Sequence, residues 1–138
     1  MELRITNYEF PALNGNRHDR NWLLIYLNVK SSFGDWKTTN ACLLTWEVKE
    51  LIKWFEDIAN DAPIKYKELD FLEPNLSFEF MGSGKAGLKN FRLKFDLESR
   101  PQFADDAKEY FIDFVSDNLG LKQIAGSLSE EYSKFPEK

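Results

Sequence analysis

Alternation of apolar and polar residues predicts that most of the chain is β-strand. In the middle of the chain, residues 75–80 and 91–97 place apolar side chains at every second position, a pattern typical of strands with one buried and one solvated face. The glycine-rich segment 82–87 between them supplies residues that readily adopt positive φ, as a hairpin loop requires. It lacks the order GxxxxGK[ST] and leads into a strand, so we do not predict a phosphate-binding loop.

Five further apolar segments complete the predicted strands. They cover residues 3–10, 22–29, 36–43, 71–72 and 110–115. The first stops at Phe10-Pro11, because proline cannot donate to a strand ladder, and a polar loop, 14–19, follows it. Residues 104–111 also fit the start of a helix, but we predict that the strand at 110–115 prevails.

Two amphipathic segments predict helices. After Thr45, a suitable N-cap, apolar residues recur at spacings of three and four until Pro63, opposite a charged side predicted to be solvated. A second helix begins after Asp117 or Asn118, and its apolar stripe consists of Leu121, Ile124, Ala125, Leu128 and Tyr132. The order βββ-α-ββββ-α predicts one α+β domain over residues 1–138, in which a mainly antiparallel, curved sheet of about seven strands packs against two helices.

Composition supports a densely packed intracellular domain. The 138 residues include 12 Phe and 4 Trp, and we expect the tryptophans to fill the core. Cys42 is the only cysteine, which excludes an internal disulfide and a multi-cysteine metal site and predicts a buried, inert thiol. The segment Met1-Glu2-Leu3-Arg4 does not resemble a signal peptide, and no apolar run reaches the ~20 residues that span a bilayer. We therefore expect a cytoplasmic protein without membrane contact.

Charge is unevenly divided along the chain. Residues 1–95 carry 13 acids and 13 bases, whereas residues 96–138 carry 10 acids and 5 bases. The basic cluster consists of Lys85, Lys89, Arg92 and Lys94, and its alternate spacing predicts a solvated strand face. Because phosphate binding needs clustered Lys and Arg, this distribution disfavours nucleic acid as a ligand.

The inventory of reactive side chains argues against most catalysis. His18 is the only histidine and lies in the polar loop, so a Ser or Cys nucleophile has no predicted base. Carboxylate pairs such as Glu73 with Glu79, or Asp105 with Asp106, leave acid–base hydrolysis open as an alternative. We predict no catalytic residue, metal or cofactor, and we expect the protein to act by binding another protein.

Several segments, taken together, resemble the WapI-type immunity protein family. They are Asp19-Arg20-Asn21-Trp22-Leu23, Gly34-Asp35-Trp36, Cys42-Leu43-Leu44-Thr45-Trp46-Glu47-Val48, residues 51–54, Phe71-Leu72-Glu73-Pro74-Asn75-Leu76-Ser77-Phe78 and Phe135-Pro136. The resemblance runs in order across nearly the whole chain. It implies a protein that protects a bacterium by binding the C-terminal toxin domain of a wall-associated, contact-dependent toxin, and it transfers no catalytic residue.

The expected partner is therefore a cognate toxin domain, neutralised stoichiometrically without catalysis. Many toxin domains are basic nucleases, and an acidic surface speeds encounter with a basic partner. On that basis the candidate contact residues are Glu47, Glu50, Asp57, Asp61, Asp105, Asp106 and Glu109. Two alternatives to toxin binding are a small-molecule-binding domain with an aromatic-lined pocket and the carboxylate-dependent hydrolase. Exposed strand edges also leave a homodimer possible.

Overall fold

The computed structural model of the protein describes residues 1–12 and 15–138. Its elements, in chain order, are β1 (Glu2–Tyr8), α1 (Arg17–Asn21), β2 (Trp22–Ser31), β3 (Gly34–Leu44), α2 (Thr45–Ala59), β4 (Glu68–Asp70), β5 (Leu76–Ser83), β6 (Lys89–Phe95), β7 (Tyr110–Ser116) and α3 (Asn118–Lys134). Short 3₁₀ turns occupy Lys85–Gly87 and Leu97–Ser99. The α+β class, seven strands and both long helices are confirmed. The predicted polar loop contains the additional short helix α1, while its first residue, Asn14, lies outside the described residues.

The seven strands form two open antiparallel sheets. One has the order β1-β2-β3 and the other β4-β5-β6-β7. The expected antiparallel pairing is confirmed, but the strands are divided between two sheets rather than one curved sheet. The division falls at α2, because consecutive strands that pair as a hairpin need a short connection, whereas 15 helical residues separate β3 from β4.

The strand predicted at residues 71–72 lies slightly earlier in the chain, where Glu68–Asp70 forms β4. Two physical constraints explain the shift. Pro74 disfavours continued regular structure at its neighbours, and the backbone amide of Leu72 donates to the carboxylate of Glu47 at 2.8 Å instead of to a strand.

One hydrophobic core joins both sheets and both long helices. Alternate residues of β2, from Leu23 to Val29, are fully buried. In the second sheet, Phe80, Phe91 and Phe114 lie opposite one another on neighbouring strands, and the last two rings stack at 5.0 Å. Such cross-strand aromatic contacts stabilise a sheet beyond the burial of their area.

The tryptophans are divided between the core and its margin. Trp36 and Trp54 are buried as predicted, whereas Trp22 and Trp46 are only half-buried. The ring of Trp46 has the guanidinium of Arg17 at 4.1 Å and the ring of His18 at 5.3 Å. His18 therefore packs against α2 through an aromatic contact.

Helix α2 begins with a different cap from the one predicted. Leu44 is the N-cap residue, and Thr45 is the first helical residue. The carboxylate of Glu47 accepts from the amide of Leu44 at 2.9 Å, and the hydroxyl of Thr45 donates to Asn21 at 2.9 Å. A carboxylate at this position satisfies one of the free amides of a helix start.

The basic cluster is not a single solvated face. Arg92 and Lys94 lie on the outer face of the second sheet, where Arg92 pairs with Asp113 at 2.8 Å. The prediction is wrong for Lys89, which is 5% exposed; its ammonium group donates to the carbonyl of Ile58 and to Asp61. A buried ammonium requires such partners, and here it binds a carbonyl near the C-terminal end of α2. Lys85 lies in a 3₁₀ turn rather than in a strand.

Among the described residues, no helix combines the length and hydropathy needed to cross a membrane.

Candidate functional site

The seven candidate acidic residues lie in two separate places. Glu47, Glu50 and Asp57 are on α2 and Asp61 follows it, whereas Asp105, Asp106 and Glu109 are in the loop before β7. Lys89, the partner of Asp61, is paired with Ser116, the last residue of β7. Glu109 precedes the first residue of that strand. Since a seven-residue strand spans about 20 Å, the 105–109 loop and Asp61 lie at opposite ends of the sheet.

The acidic residues of α2 do not form one exposed surface. Glu47 is only 5% exposed, so its expected place on a solvated face is wrong, because both carboxylate oxygens are used by the amides of Leu44 and Leu72. Asp57 is paired with Lys53 at 2.7 Å. Asp61 is held by Lys89, which lowers the pKa of Asp61 through a hydrogen bond and through charge. Glu50 is exposed on the helix.

The acidic residues of the loop, in contrast, lie in a region that also exposes two aromatic rings. Phe33, in the β2–β3 turn, is 48% exposed, and Phe103 is 53% exposed. We call Phe33, Phe103, Asp105, Asp106 and Glu109 together the aromatic–acidic surface. All three acids are exposed. The sequence analysis named the three acids as candidates but not the two phenylalanines. The contacts of Phe33 and Phe103 with Trp36 depend on the fold and cannot be seen in the sequence.

A buried tryptophan supports the aromatic–acidic surface from below. Trp36 is 3% exposed, and its ring lies 5.9 Å from Phe33 and 6.4 Å from Phe103. Its indole N–H donates to the carbonyl of Ser99 at 3.0 Å, which fixes the beginning of the 97–109 segment against β3. The rings of Phe33 and Phe103 are therefore exposed on one side and packed on the other.

Two further contacts order the loop. The amide of Asp105 donates to the hydroxyl of Tyr110 at 2.7 Å, and the ring of Tyr110 lies 6.0 Å from Phe33. Gly34 has φ of +138°, and a Cβ there would lie 2.6 Å from the ring of Phe103. This position requires glycine, both for its backbone conformation and for the close approach of the ring.

The charge of this region is strongly negative. Residues 96–110 contain five acids and two bases, a net charge of −3. Arg100 pairs with Asp106 at 2.8 Å, yet the side chain of Asp106 remains 93% exposed. Because exposed ion pairs contribute little and are screened by salt, the surface keeps a field that attracts cationic partners.

The arrangement of side chains does not indicate catalysis. Burial raises the pKa of the Cys42 thiol to about 12, with a smaller contribution from Glu47, so the thiolate needed for a nucleophile is disfavoured. The described residues contain no group of three or more His, Cys, Asp or Glu side chains placed to hold a metal ion. Neither Glu73 nor Glu79 is among the residues that line three of the cavities in the described part of the chain.

A groove of about 500 Å³ lies under α3 and is lined in part by Phe55, Phe78 and Phe114. Its volume is within the range of ligand sites, ~300–1,000 Å³. The groove provides the aromatic-lined pocket that the small-molecule alternative predicts.

The polar residues of the recognised motifs hold the fold together. Asn21 is fully buried; its side chain accepts from Thr45 and donates to the carbonyl of Arg17. Asn75 is also buried and donates to the carboxylate of Glu98 and the hydroxyl of Ser99. Buried polar groups with several partners specify a structure. These buried asparagines therefore stabilise the framework and do not belong to the exposed surface.

Comparison with known proteins agrees with the resemblance found in the sequence. No curated protein and no solved structure matches the chain. A family model described as the immunity protein WapI-like family matches residues 1–136. That match includes all the motif segments and both loops of the aromatic–acidic surface. The chain belongs to the WapI-like immunity protein family.

Proposed function

We propose that this protein neutralises a cognate toxin domain by binding it stoichiometrically through the aromatic–acidic surface. The family supports an immunity role and implies a toxin as the protein partner. The observation that carries the choice of surface is the pair Phe33 and Phe103, each about half exposed although both rings pack against Trp36. Binding hot spots are enriched in such rigid aromatic anchors, surrounded by a polar rim.

The charges of this surface support a basic partner. Asp105, Asp106 and Glu109 lie in the same loop as Phe103 and speed encounter with a cationic toxin domain, while Phe33 and Phe103 supply apolar area that is removed from water in the complex. Bound in this way, the protein blocks the active site of the toxin or another surface that the toxin needs. Neutralisation then requires one copy of the protein for each toxin domain and no chemical step.

Co-expression provides the direct test. A candidate toxin domain, taken from the adjacent gene where that gene encodes a secreted protein, is expressed in bacteria with and without the protein, and growth is measured. We expect growth only with the protein, and size-exclusion chromatography of the purified mixture is expected to show an equimolar complex. If co-expression relieves toxicity without complex formation, stoichiometric binding is excluded; if growth is not rescued, the immunity function fails for that toxin.

A matched variant distinguishes the proposed surface from the rest of the protein. Phe103→Ser removes one exposed ring, whereas Leu119→Ser changes an exposed apolar residue of α3 that belongs neither to the aromatic–acidic surface nor to strand β7. We expect Phe103→Ser to lose protection and Leu119→Ser to retain it. Equal protection by both variants would show that the toxin binds elsewhere.

A further inference from the structure

The groove under α3 opens between the edges of the two sheets. Its wall includes Leu3 of β1 and both Ile112 and Phe114 of β7, together with Ile124 and Leu128 of α3. Strands β1 and β7 are end strands, because β1 pairs with β2 and β7 pairs with β6. The groove therefore lies between two strand edges, and apolar side chains line its base.

The edge of β1 directs backbone groups away from β2. The amide of Ile5 donates to the carboxylate of Glu131 on α3 at 3.1 Å. Since backbone groups of successive residues in a strand point to alternate sides, those of Leu3 point the same way as those of Ile5. Unpaired strand edges are the sites at which an added strand obtains its main-chain hydrogen bonds.

Strands on both sides of the groove lead towards the aromatic–acidic surface. Tyr110, whose ring contacts Phe33 at 6.0 Å, is the first residue of β7, and Ile112 lies two positions further along the same strand. On the other side, Glu2 of β1 is paired with Asn28 of β2, near the end of β2 that leads into the turn with Phe33. One elongated ligand can therefore contact both places.

Carboxylates predominate at the rim of the groove. Glu2, Glu130 and Glu131 line it together with two residues that carry cationic groups, Arg4 and Met1. Arg4 is bound to Glu2, and Lys134 lies 3.4 Å from Glu131. Like the aromatic–acidic surface, the rim complements basic side chains.

From these observations we propose that the groove binds an extended segment of the toxin domain as an additional β-strand, with apolar side chains directed into the groove and Lys or Arg side chains at its rim. This inference rests on the proposed function and deepens it, since it names the conformation and the chemistry of the toxin segment. Strand addition supplies affinity through the main chain and specificity through alternate side chains.

Hydrogen exchange of the complex tests the main-chain contact. The protein is measured alone and with an equimolar amount of the purified toxin domain from which it protects cells in the co-expression test. We expect slower amide exchange at residues 1–5 and 110–116 in the complex, in addition to protection at the loops that contain Phe33 and Phe103. Protection at the loops alone would overturn strand addition and leave the proposed function intact.

A groove-filling substitution tests the same inference independently. Ser127 is exposed on α3 and lines the groove, whereas Ser129 is exposed on the same helix and does not line it. Ser127→Trp is expected to weaken toxin binding by about tenfold or more, and Ser129→Trp to leave it unchanged. Circular dichroism of both variants confirms that the helix is retained.

The remaining outcomes are also decisive. Equal affinity of both tryptophan variants would overturn the inference. If the wild-type protein does not bind the toxin domain, the proposed function itself fails, and the inference with it. Thermal-shift screening of the wild-type protein alone with a metabolite library provides the competing outcome, because a ligand whose stabilisation is abolished by Ser127→Trp would assign the groove to a small molecule. A concentration-dependent dimer abolished by Ser127→Trp would assign it to a second copy of this chain.

Discussion

The carboxylate of Glu47 accepts a hydrogen bond from the backbone amide of Leu72 at 2.8 Å, across 25 residues of sequence. Its other oxygen accepts from the amide of Leu44 at the start of α2. Leu72 lies just before the turn that leads into β5. A single side chain therefore joins the first helical turn of α2 to the segment between β4 and β5 of the second sheet.

Removal of this carboxylate is expected to destabilise the fold. Glu47→Ala leaves the amides of Leu44 and Leu72 without their acceptor, and hydrogen bonds to a charged group contribute about 1.5–3 kcal/mol each. We expect a loss of about 3 kcal/mol or more in the free energy of unfolding, measured by urea denaturation. Glu50→Ala, on the exposed side of the same helix, serves as the control, with an expected change within about 0.5 kcal/mol. Similar losses in both variants would refute this role of Glu47.

The pH dependence of stability reports on the same carboxylate. Burial raises the pKa of Glu47 above its ordinary value of 4.5, although the hydrogen bonds from Leu44 and Leu72 oppose the shift. The folded state therefore binds the proton more tightly than the unfolded state, and this contribution to stability is lost as pH rises through the raised pKa.

Glu47→Gln has no titrating group at this position. The free energy of unfolding of the wild type minus that of Glu47→Gln should fall as pH rises above 4.5 and through the raised pKa of Glu47. Denaturation series at several pH values measure this difference. A difference that rises with pH would mean that the pKa of Glu47 is lowered instead.

Asn21 connects three parts of the chain. Its side-chain oxygen accepts from the hydroxyl of Thr45 and the amide of Lys138, and its nitrogen donates to the carbonyl of Arg17. Asn21→Ala is expected to cost about 2–4 kcal/mol of stability, because the buried partners lose their bonds. Asn21→Asp keeps an acceptor oxygen but loses the two N–H donors of the side-chain amide. It also introduces a buried charge, so it should destabilise the protein as well. Normal thermal stability of either variant would contradict this role.

Cys42 should be unreactive in the folded protein. Its thiol is buried and its pKa is raised to about 12. At pH 8 we expect negligible modification by a chromogenic disulfide reagent in native buffer and rapid modification of one thiol in guanidinium chloride. The Cys42 thiol binds its proton more tightly in the folded state than in the unfolded state. The contribution of this difference to the free energy of unfolding is therefore lost as pH rises from about 9 towards 12. Rapid modification of Cys42 in native buffer would contradict this prediction, because it would show that the buried thiol becomes accessible in the folded protein.

The aromatic–acidic surface predicts a separation of binding from stability. Phe33→Ser and Phe103→Ser change exposed rings, so each should alter the free energy of unfolding by less than about 1 kcal/mol while weakening toxin binding by about thirtyfold, equivalent to roughly 2 kcal/mol. Leu119→Ser, which replaces an exposed residue of α3, is the control for loss of surface apolar area. Calorimetry gives the affinities. Unchanged affinity in both phenylalanine variants would exclude this surface as the main contact.

Regular structure was predictable from sequence because local pattern determines it. Around Phe78 and Phe91, apolar residues alternate with polar ones, which indicates strands. Leu51 and Phe55 belong to an apolar stripe with spacings of three and four, which indicates a helix. The division into two sheets was not predictable, because alternation shows which side of a strand is buried and not which strand lies beside it. Position 47 was misjudged for a related reason, since a carboxylate on the polar side of a helix is normally solvated unless a distant amide, here that of Leu72, requires it.

The candidate site was only partly predictable. Acidic surplus marked Asp105, Asp106 and Glu109, but charge alone also marked Glu47, which is buried. Phe33 and Phe103 are 70 residues apart in sequence, and they are brought together through Trp36. No local pattern contains that contact.

The support that Trp36 gives to the aromatic–acidic surface has an evolutionary consequence. The exposed rings and acids occupy two loops, while Asn21, Glu47 and Asn75 stabilise the framework from buried positions. Substitutions at exposed loop positions cost little stability, so on the proposed binding mode partner preference can diversify there while the scaffold is inherited unchanged. Exchange of the 97–109 segment between two members of the family, with the turn around Phe33, would then transfer recognition from one toxin to another.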